Sequence, residues 1–286
     1  MAEDTPIPYW PVSPDIGYEV RGAAHSTGHA SLVVQSTVGA KGNWYALSNS
    51  NLVRDASAFY VTLQQNAAPG WRALVDVGVS AVGGTIAIPA AAITPIVHNI
   101  HLSNRNVSPT ALLFPIPVAA GQRLWVRAQT TSVQPIDAVV NLFGGAWGPG
   151  PRHGIVSTYG HSLGNAAGTQ VDPGGTAGRP GLWSQLTPRT EFDIYWLLLS
   201  LGNRANTGMT DARYYLTIGV GPVGSEQPII THVPLFAGTT SDAIVPSGLG
   251  PFPVFIPQGS RVVARMVSSI TDATDRLLEV VMHGVS

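Results

Sequence analysis

Cysteine is absent from the 286-residue chain. That excludes disulfide scaffolds, zinc ribbons, iron–sulfur ligation and thiol catalysis. Charge is scarce: 11% of residues are Asp, Glu, Lys or Arg, against about 25% in ordinary soluble domains. Lys41 is the only lysine among the 15 basic residues. The others are arginines, which suit planar, paired contacts. A formal net charge of −1 leaves no basic face for a polyanion, so no nucleic-acid partner is expected. No apolar run reaches the ~18 residues of a membrane-spanning helix, and no membrane partner is expected. The opening stretch MAEDTPIPYWPVSPD lacks the basic and apolar regions of a signal peptide.

What the chain has in quantity is turn formers, 32 Gly and 23 Pro, and a pattern that occurs twice. HSTGHA (residues 25–30) returns as HSLGNA (161–166), and TVGAKGNWYAL (37–47) as TAGRPGLWSQL (176–186). RALVDVGVSAVG (72–83) returns as RYYLTIGVGPVG (213–224), and FPIPVAAGQRLWVRAQTT (114–131) as FPVFIPQGSRVVARMVSS (252–269). Four blocks in one order, with nearly constant separation, indicate an internal duplication with small loop insertions. The expected organisation is an extended arm over 1–19, a first domain over 20–147, a Pro/Gly linker over 148–154 and a second domain over 155–286. The arm is read as extended because prolines crowd it.

Within each copy, short β-branched and aromatic runs alternate with Gly, Pro, Asn and Ser. AFYVTLQQ, WRALVDVGV, IVHNIHLS and QRLWVRAQ have counterparts such as FDIYWLLLSL, RYYLTIGVG, QPIITHVPL and RVVARMVSS. The segment DATDRLLEVVMHG has helical character, but its counterpart PIDAVVNLFGG does not, so both read as strand. The fold class expected is all-β: two tandem, homologous antiparallel β-sandwich or jelly-roll-like domains with an extended N-terminal arm.

Alternation assigns faces. In QRLWVRAQ, Leu124, Val126 and Ala128 face one way, and Arg123, Trp125, Arg127 and Gln129 the other. Arg123, Arg127 and Asp137 recur as Arg261, Arg265 and Asp275. Duplication favours a structural role, in which the Asp on the following strand pairs with the arginines across a hairpin. A carboxylate- or phosphate-binding site is the alternative. Trp44 and Trp183 are also equivalent; they read as aromatics closing the sandwich, or else as sugar-stacking platforms. Pro6, Pro8, Trp10 and Pro11 of the arm, with Trp71 and Trp147, have no repeat partners and are candidate interface residues. His98 and His101 form the one close histidine pair, but residues three apart in a strand point to opposite faces, which disfavours chelation. GHSLG (160–164) has nucleophile-elbow spacing, yet a loop composition follows it where a helix is required. No catalytic, metal or cofactor-binding constellation stands out, and no enzymatic activity or cofactor is expected.

The paired elements Ile116–Ser132 and Phe255–Ser269 each carry an Ile-Pro, a glycine and two arginines. In these elements the chain resembles structural proteins of tailed bacteriophage particles built from tandem β-sandwich domains. The resemblance implies a non-enzymatic virion protein, foremost a capsid decoration or head-surface protein, assembling through its sandwiches and its arm. Its partners would be further copies of itself and other capsid or tail subunits. Alternatives are a tail, collar or baseplate component, or a module that binds a host-surface glycan. Low surface charge is compatible with a protein that stays soluble by assembling.

Overall fold

The computed structural model describes residues 19–22, 32–34, 40–47, 52, 55–65, 71–80, 90–103, 109–131, 134–143, 154–203, 212–237, 244–271 and 277–286. The arm up to residue 18 with Pro6, Pro8, Trp10 and Pro11, most of the linker, Trp147 and Asp275 lie outside the described residues.

The first half contributes β1 (Glu19–Gly22), β2 (Leu32–Val34), β3 (Tyr45–Ala46), β4 (Ala58–Gln65), β5 (Arg72–Ser80), β6 (Ile93–Ser103), β7 (Thr110–Phe114), β8 (Arg123–Thr130) and β9 (Gln134–Phe143). The second contributes β10 (Val156–Tyr159), β11 (Thr169–Val171), β12 (Ser184–Thr187), β13 (Ile194–Asn203), β14 (Ala212–Val220), β15 (Gln227–Ala237), β16 (Ile244–Val245), β17 (Gly248–Ile256), β18 (Val262–Ser268) and β19 (Leu278–Val285). The ambiguous DATDRLLEVVMHG segment thus carries a strand, β19, over its second part.

Strand order is the same in both halves. One sheet runs β1-β9-β4-β7 and its counterpart β10-β19-β13-β17; the other runs β3-β8-β5-β6 and its counterpart β12-β18-β14-β15, extended by β16. Successive strands pass back and forth between facing sheets, which is the jelly-roll path. Alternation fills the interiors. Ala73, Val75, Val77 and Val79 of β5 point inward to meet Val61, Leu63, Val140 and Leu142 of the facing sheet. Ala212, Tyr214, Leu216 and Ile218 of β14 do the same against Leu197, Leu199, Val280 and Met282. Trp71, at 3% exposure, belongs to the first core. It therefore does not present itself to a partner, contrary to its reading as an interface residue.

The repeated tryptophans lie outside the sandwiches, on the backs of these sheets. Trp44 covers Gly78, and Trp183 covers Gly219: a Cβ on either glycine would come within 2.8 and 2.9 Å of the ring, respectively. An arginine packs over each ring, Arg127 at 4.5 Å from the centroid of Trp44 and Arg265 at 4.2 Å from that of Trp183. The duplicated Gly, Trp and Arg positions are thus one stacked unit, in which glycine supplies the room and the cation binds the ring face.

This stack reverses the usual sign of a substitution. Replacing strand glycine by alanine ordinarily gains about 0.5–1 kcal/mol. Gly219→Ala must instead displace a ring held under Arg265, and overpacking of that kind costs about 1–3 kcal/mol. Urea denaturation should show Gly219→Ala less stable than the parent, with the loss reversed when Trp183 is also shortened to Leu.

Candidate functional site

Two carboxylates lie within apolar strands at 0% exposure, Asp76 on β5 and Glu279 on β19. A buried carboxylate requires cations or donors around it, and these define the polar centre of the molecule.

Asp76 lies opposite Arg127 in the β5–β8 register. Its Oδ2 accepts from Arg127 Nε at 2.8 Å, and its Oδ1 accepts from Lys41 Nζ at 2.7 Å and from the Asn99 backbone N–H at 2.9 Å. His98 Nδ1 stands 3.9 Å away. Burial works to raise the Asp76 pKa, but His98, Lys41 and the Asn99 amide together hold the carboxyl well below the usual carboxylate range. Burial also lowers the pKa of Lys41, with Asp76 opposing it.

Glu279 is served from the other half of the chain. Arg72 Nη1 donates to its Oε1 at 2.6 Å, and His101 Nε2 lies 3.1 Å from its Oε2. Against the raising effect of burial, His101 and Arg72 lower the Glu279 pKa.

A chain of hydrogen bonds joins the two clusters. The His101 backbone N–H donates to Ser200 Oγ at 2.9 Å, and Ser200 Oγ lies 3.1 Å from His283 Nε2. His283 Nδ1 lies 3.0 Å from Thr158 Oγ1, which donates to the His98 carbonyl at 2.7 Å. Because the Thr158 proton is committed to that carbonyl, Nδ1 of His283 must carry a proton and Nε2 must accept from Ser200. His283 is a neutral Nδ1–H tautomer, with its pKa lowered to about 3 by burial and by the neighbouring His161 and His101. Ser200 and His283 resemble a nucleophile and base, but both are at 0% exposure. In this arrangement the pair fastens strands together and presents no hydroxyl to a substrate.

All of this lies where the β6–β7 side of the first jelly roll crosses the outer face of the β10-β19-β13-β17 sheet. The turn after β10 adds to the contact: the Leu163 carbonyl accepts from Gln129 Nε2. That turn contains GHSLG, and it closes on itself through the Ser162–Ala167 bridge, with no helix following.

Several sequence expectations are corrected here. Asp137 does not pair with Arg123 or Arg127, because β8 and β9 belong to different sheets; the connection between them crosses the sandwich and is no hairpin. Arg127 uses Asp76 instead. Arg265 stacks on Trp183 opposite Thr217, the counterpart of Asp76. Arg123 is buried beside Trp125, 6.0 Å from its ring centroid, and Arg261 bonds Gln185 Oε1, Glu226 Oε1 and the Gly221 carbonyl. His98 and His101 face the same way, because the β5–β6 register shifts between Val75 and Val77 and Asn99 takes a φ of 55°. The bulge cancels the strand parity. Even so, no group of three potential metal ligands occurs among the described residues.

Lys41, Asp76, Thr158, Ser200, Glu279 and His283 were not singled out from the sequence. The available signals were the lone lysine and the two carboxylates embedded in WRALVDVGV and RLLEVVMHG. A charge inside an apolar strand demands a partner.

No protein-family model matches the chain, and no curated protein matches it. Solved structures that align with it include PNGF-II, at a TM-score of 0.33 and 8% identity over 93% of this chain and 65% of that chain. PNGase F, a glycosylasparaginase from Flavobacterium meningosepticum, aligns at a TM-score of 0.33 and 7% identity over 94% of this chain and 95% of that one. T=1 particles derived from infectious bursal virus align at 0.25 and 10% identity over 94% and 69%. These likenesses assign no family, activity or partner to this chain.

Burial of neutral His283 has a measurable consequence. The unfolded chain binds a proton at this residue below about pH 6.5, whereas the folded chain excludes it down to about pH 3. Stability therefore falls as pH drops through this window, by about 1.4 kcal/mol per pH unit from this residue. Asp76 and Glu279, both depressed, add a further loss once the pH enters the ordinary carboxylate range. In denaturant titrations between about pH 6 and pH 5, His283→Gln should remove close to one proton from the pH dependence of stability.

Proposed function

We propose that the protein is a non-enzymatic structural component of a bacteriophage particle, placed on the outer surface of the head as a capsid decoration protein. The observation that carries this reading is the use made of the buried charges. Glu279 of the second jelly roll meets Arg72 and His101 of the first across their junction, while Asp76, Lys41 and Arg127 pair with one another within the first half beside it. The Glu279 contacts join the halves into one block. Large apolar side chains stand exposed elsewhere, Leu182 at 88%, Val223 at 80% and Phe255 at 61%, and exposed apolar groups are suited to contacts between subunits. The scarcity of surface charge supports the same reading.

A tail, collar or baseplate position is the alternative within the particle. The glycan-binding alternative is less well supported, because Trp44 and Trp183, its stacking platforms, are each packed against an arginine, Arg127 and Arg265.

Co-sedimentation separates these placements. Purified chain should pellet with assembled empty shells and stay in the supernatant with unassembled shell subunits. Absence from the shell pellet overturns the head-surface placement. Retention on a glycan array in that case would favour the binding-module alternative.

A further inference from the structure

Resting on the reading of the chain as a particle subunit, we propose that the protein binds further copies of itself head to tail. The contact uses the same two kinds of surface that already join its halves. Each jelly roll has a docking side, formed by β6 and β7 in the first half and by β15 and β17 in the second. Each also has a receiving face, the outer side of the sheet containing β4 and β9 in the first half and β13 and β19 in the second. Within one chain, the docking side of the first half sits on the receiving face of the second. One surface of each kind is left over.

Burial follows this use strand by strand. β6 is mostly buried from Asn99 to Leu102, whereas its counterpart β15 exposes Thr231, His232, Pro234 and Phe236. Every residue of β19 is buried, whereas β9 alternates, with Asp137, Val139, Asn141 and Phe143 half-exposed between buried neighbours. Ser200 and Leu198 of β13 are buried under the first half; the corresponding Thr62 and Tyr60 of β4 are half-exposed.

The two docking sides are built alike. Asn99 and His232 occupy the same bulge, with φ of 55° and 54°. The amide of each is directed at the side chain on the neighbouring strand, Asp76 at 2.9 Å in one and Thr217 at 3.5 Å in the other. Exposed Arg213 stands where Arg72 reaches across to Glu279 in the internal junction, and Asp137 offers a carboxylate on the free receiving face. Phe236 and Phe255, at 47% and 61% exposure, are the apolar surface this side would bury. The copies differ at one end. A longer connection in the second half lays β16 against Phe236 and Ala237, leaving the strand open from Ile229 to Pro234. The contact is heterologous, so it generates a ring or an open filament and no two-fold dimer.

The test uses full-length chain and two variants, each altered on one surface. His232→Glu with Phe236→Glu spoils the docking side; Gln64→Glu with Asn141→Glu spoils the receiving face. Light scattering across a concentration series should show the parent growing beyond the 29.9 kDa of one chain. Each variant alone should remain a single chain. An equimolar mixture of the two should double in mass and stop there, because it retains one working contact. A parent that stays a single chain up to its solubility limit overturns the proposal. So do variants that assemble like the parent, and a mixture that never passes one chain. Should a double variant fail to fold by thermal melting, His232→Glu and Asn141→Glu singly form the replacement pair and are read the same way. The two readings fail separately. Self-association without shell binding overturns only the head-surface placement, and shell binding by a chain that never self-associates overturns only this one.

Discussion

Glu279 is a residue that the second jelly roll cannot bury by its own means. Its strand is otherwise mostly apolar, and among the described residues its carboxylate meets Arg72 and His101, both from the other half of the chain. Removing one partner from a buried ion pair costs about 3–5 kcal/mol. Any arrangement that separates the halves must therefore return Glu279 to water or leave it unpaired. The docking of the two sandwiches brings Arg72 and His101 to Glu279 while also bringing the His98 carbonyl to Thr158 and the His101 amide to Ser200. Apolar contact through Val156, Leu198 and Val285, which join the first core cluster, supplies attraction but tolerates sliding. The polar chain fixes the register, in the way that buried polar groups fix alignment in other assemblies.

The duplication lets the effect of that junction be read as a difference between two copies of one design. Both copies keep the stacked glycine, tryptophan and arginine, and both keep the bulge on the strand beside it. They diverge where the first copy meets the second. There Asp76 and Lys41 stand in place of Thr217 and Pro180, and His101 in place of Pro234. A face that becomes an interior acquires groups that make sense only with a partner. The equivalent free face keeps a hydroxyl and a proline, which are satisfied without one. The copies thus separate what the jelly roll requires from what the junction requires.

The strands were legible in the sequence because half-buried strands alternate. In QRLWVRAQ the split between Leu124, Val126 and Ala128 and the residues Arg123, Trp125, Arg127 and Gln129 matches the inner and outer faces. The outer face was legible as polar but not as buried. Gln129 is at 1% exposure because it meets the turn after β10 of the second half, and no local pattern encodes that. The pairing of Asp137 failed for a related reason. Adjacent strands in a jelly roll often lie in opposite sheets, so nearness in sequence predicts the wrong partner. The histidine pair was misassigned by one inserted residue, since a bulge reverses strand parity and Asn99 carries no sequence mark beyond its tolerance of positive φ. The charged centre was the least legible part, because its members come from six strands and one loop, and duplication draws attention to residues that recur. Asp76, Glu279 and His101 are informative because they do not.

A domain that presents a docking side and a receiving face is, by geometry, able to join a chain of like domains. Fusing two such domains in one polypeptide satisfies one contact at high effective concentration and leaves one surface of each kind at the ends. The satisfied contact can then specialise, as the Glu279 cluster has, because its partner is always present. The free surfaces cannot bury charge in the same way without leaving it unpaired in the lone chain. They carry threonine, asparagine, histidine and aromatic residues, with Arg213 and Asp137 among them at positions water reaches before assembly. The same constraint accounts for the composition of the chain. Its two fully buried carboxylates, Asp76 and Glu279, lie where pairing is assured within the molecule, and with 11% charged residues in all the chain asks a neighbouring subunit to desolvate few charges.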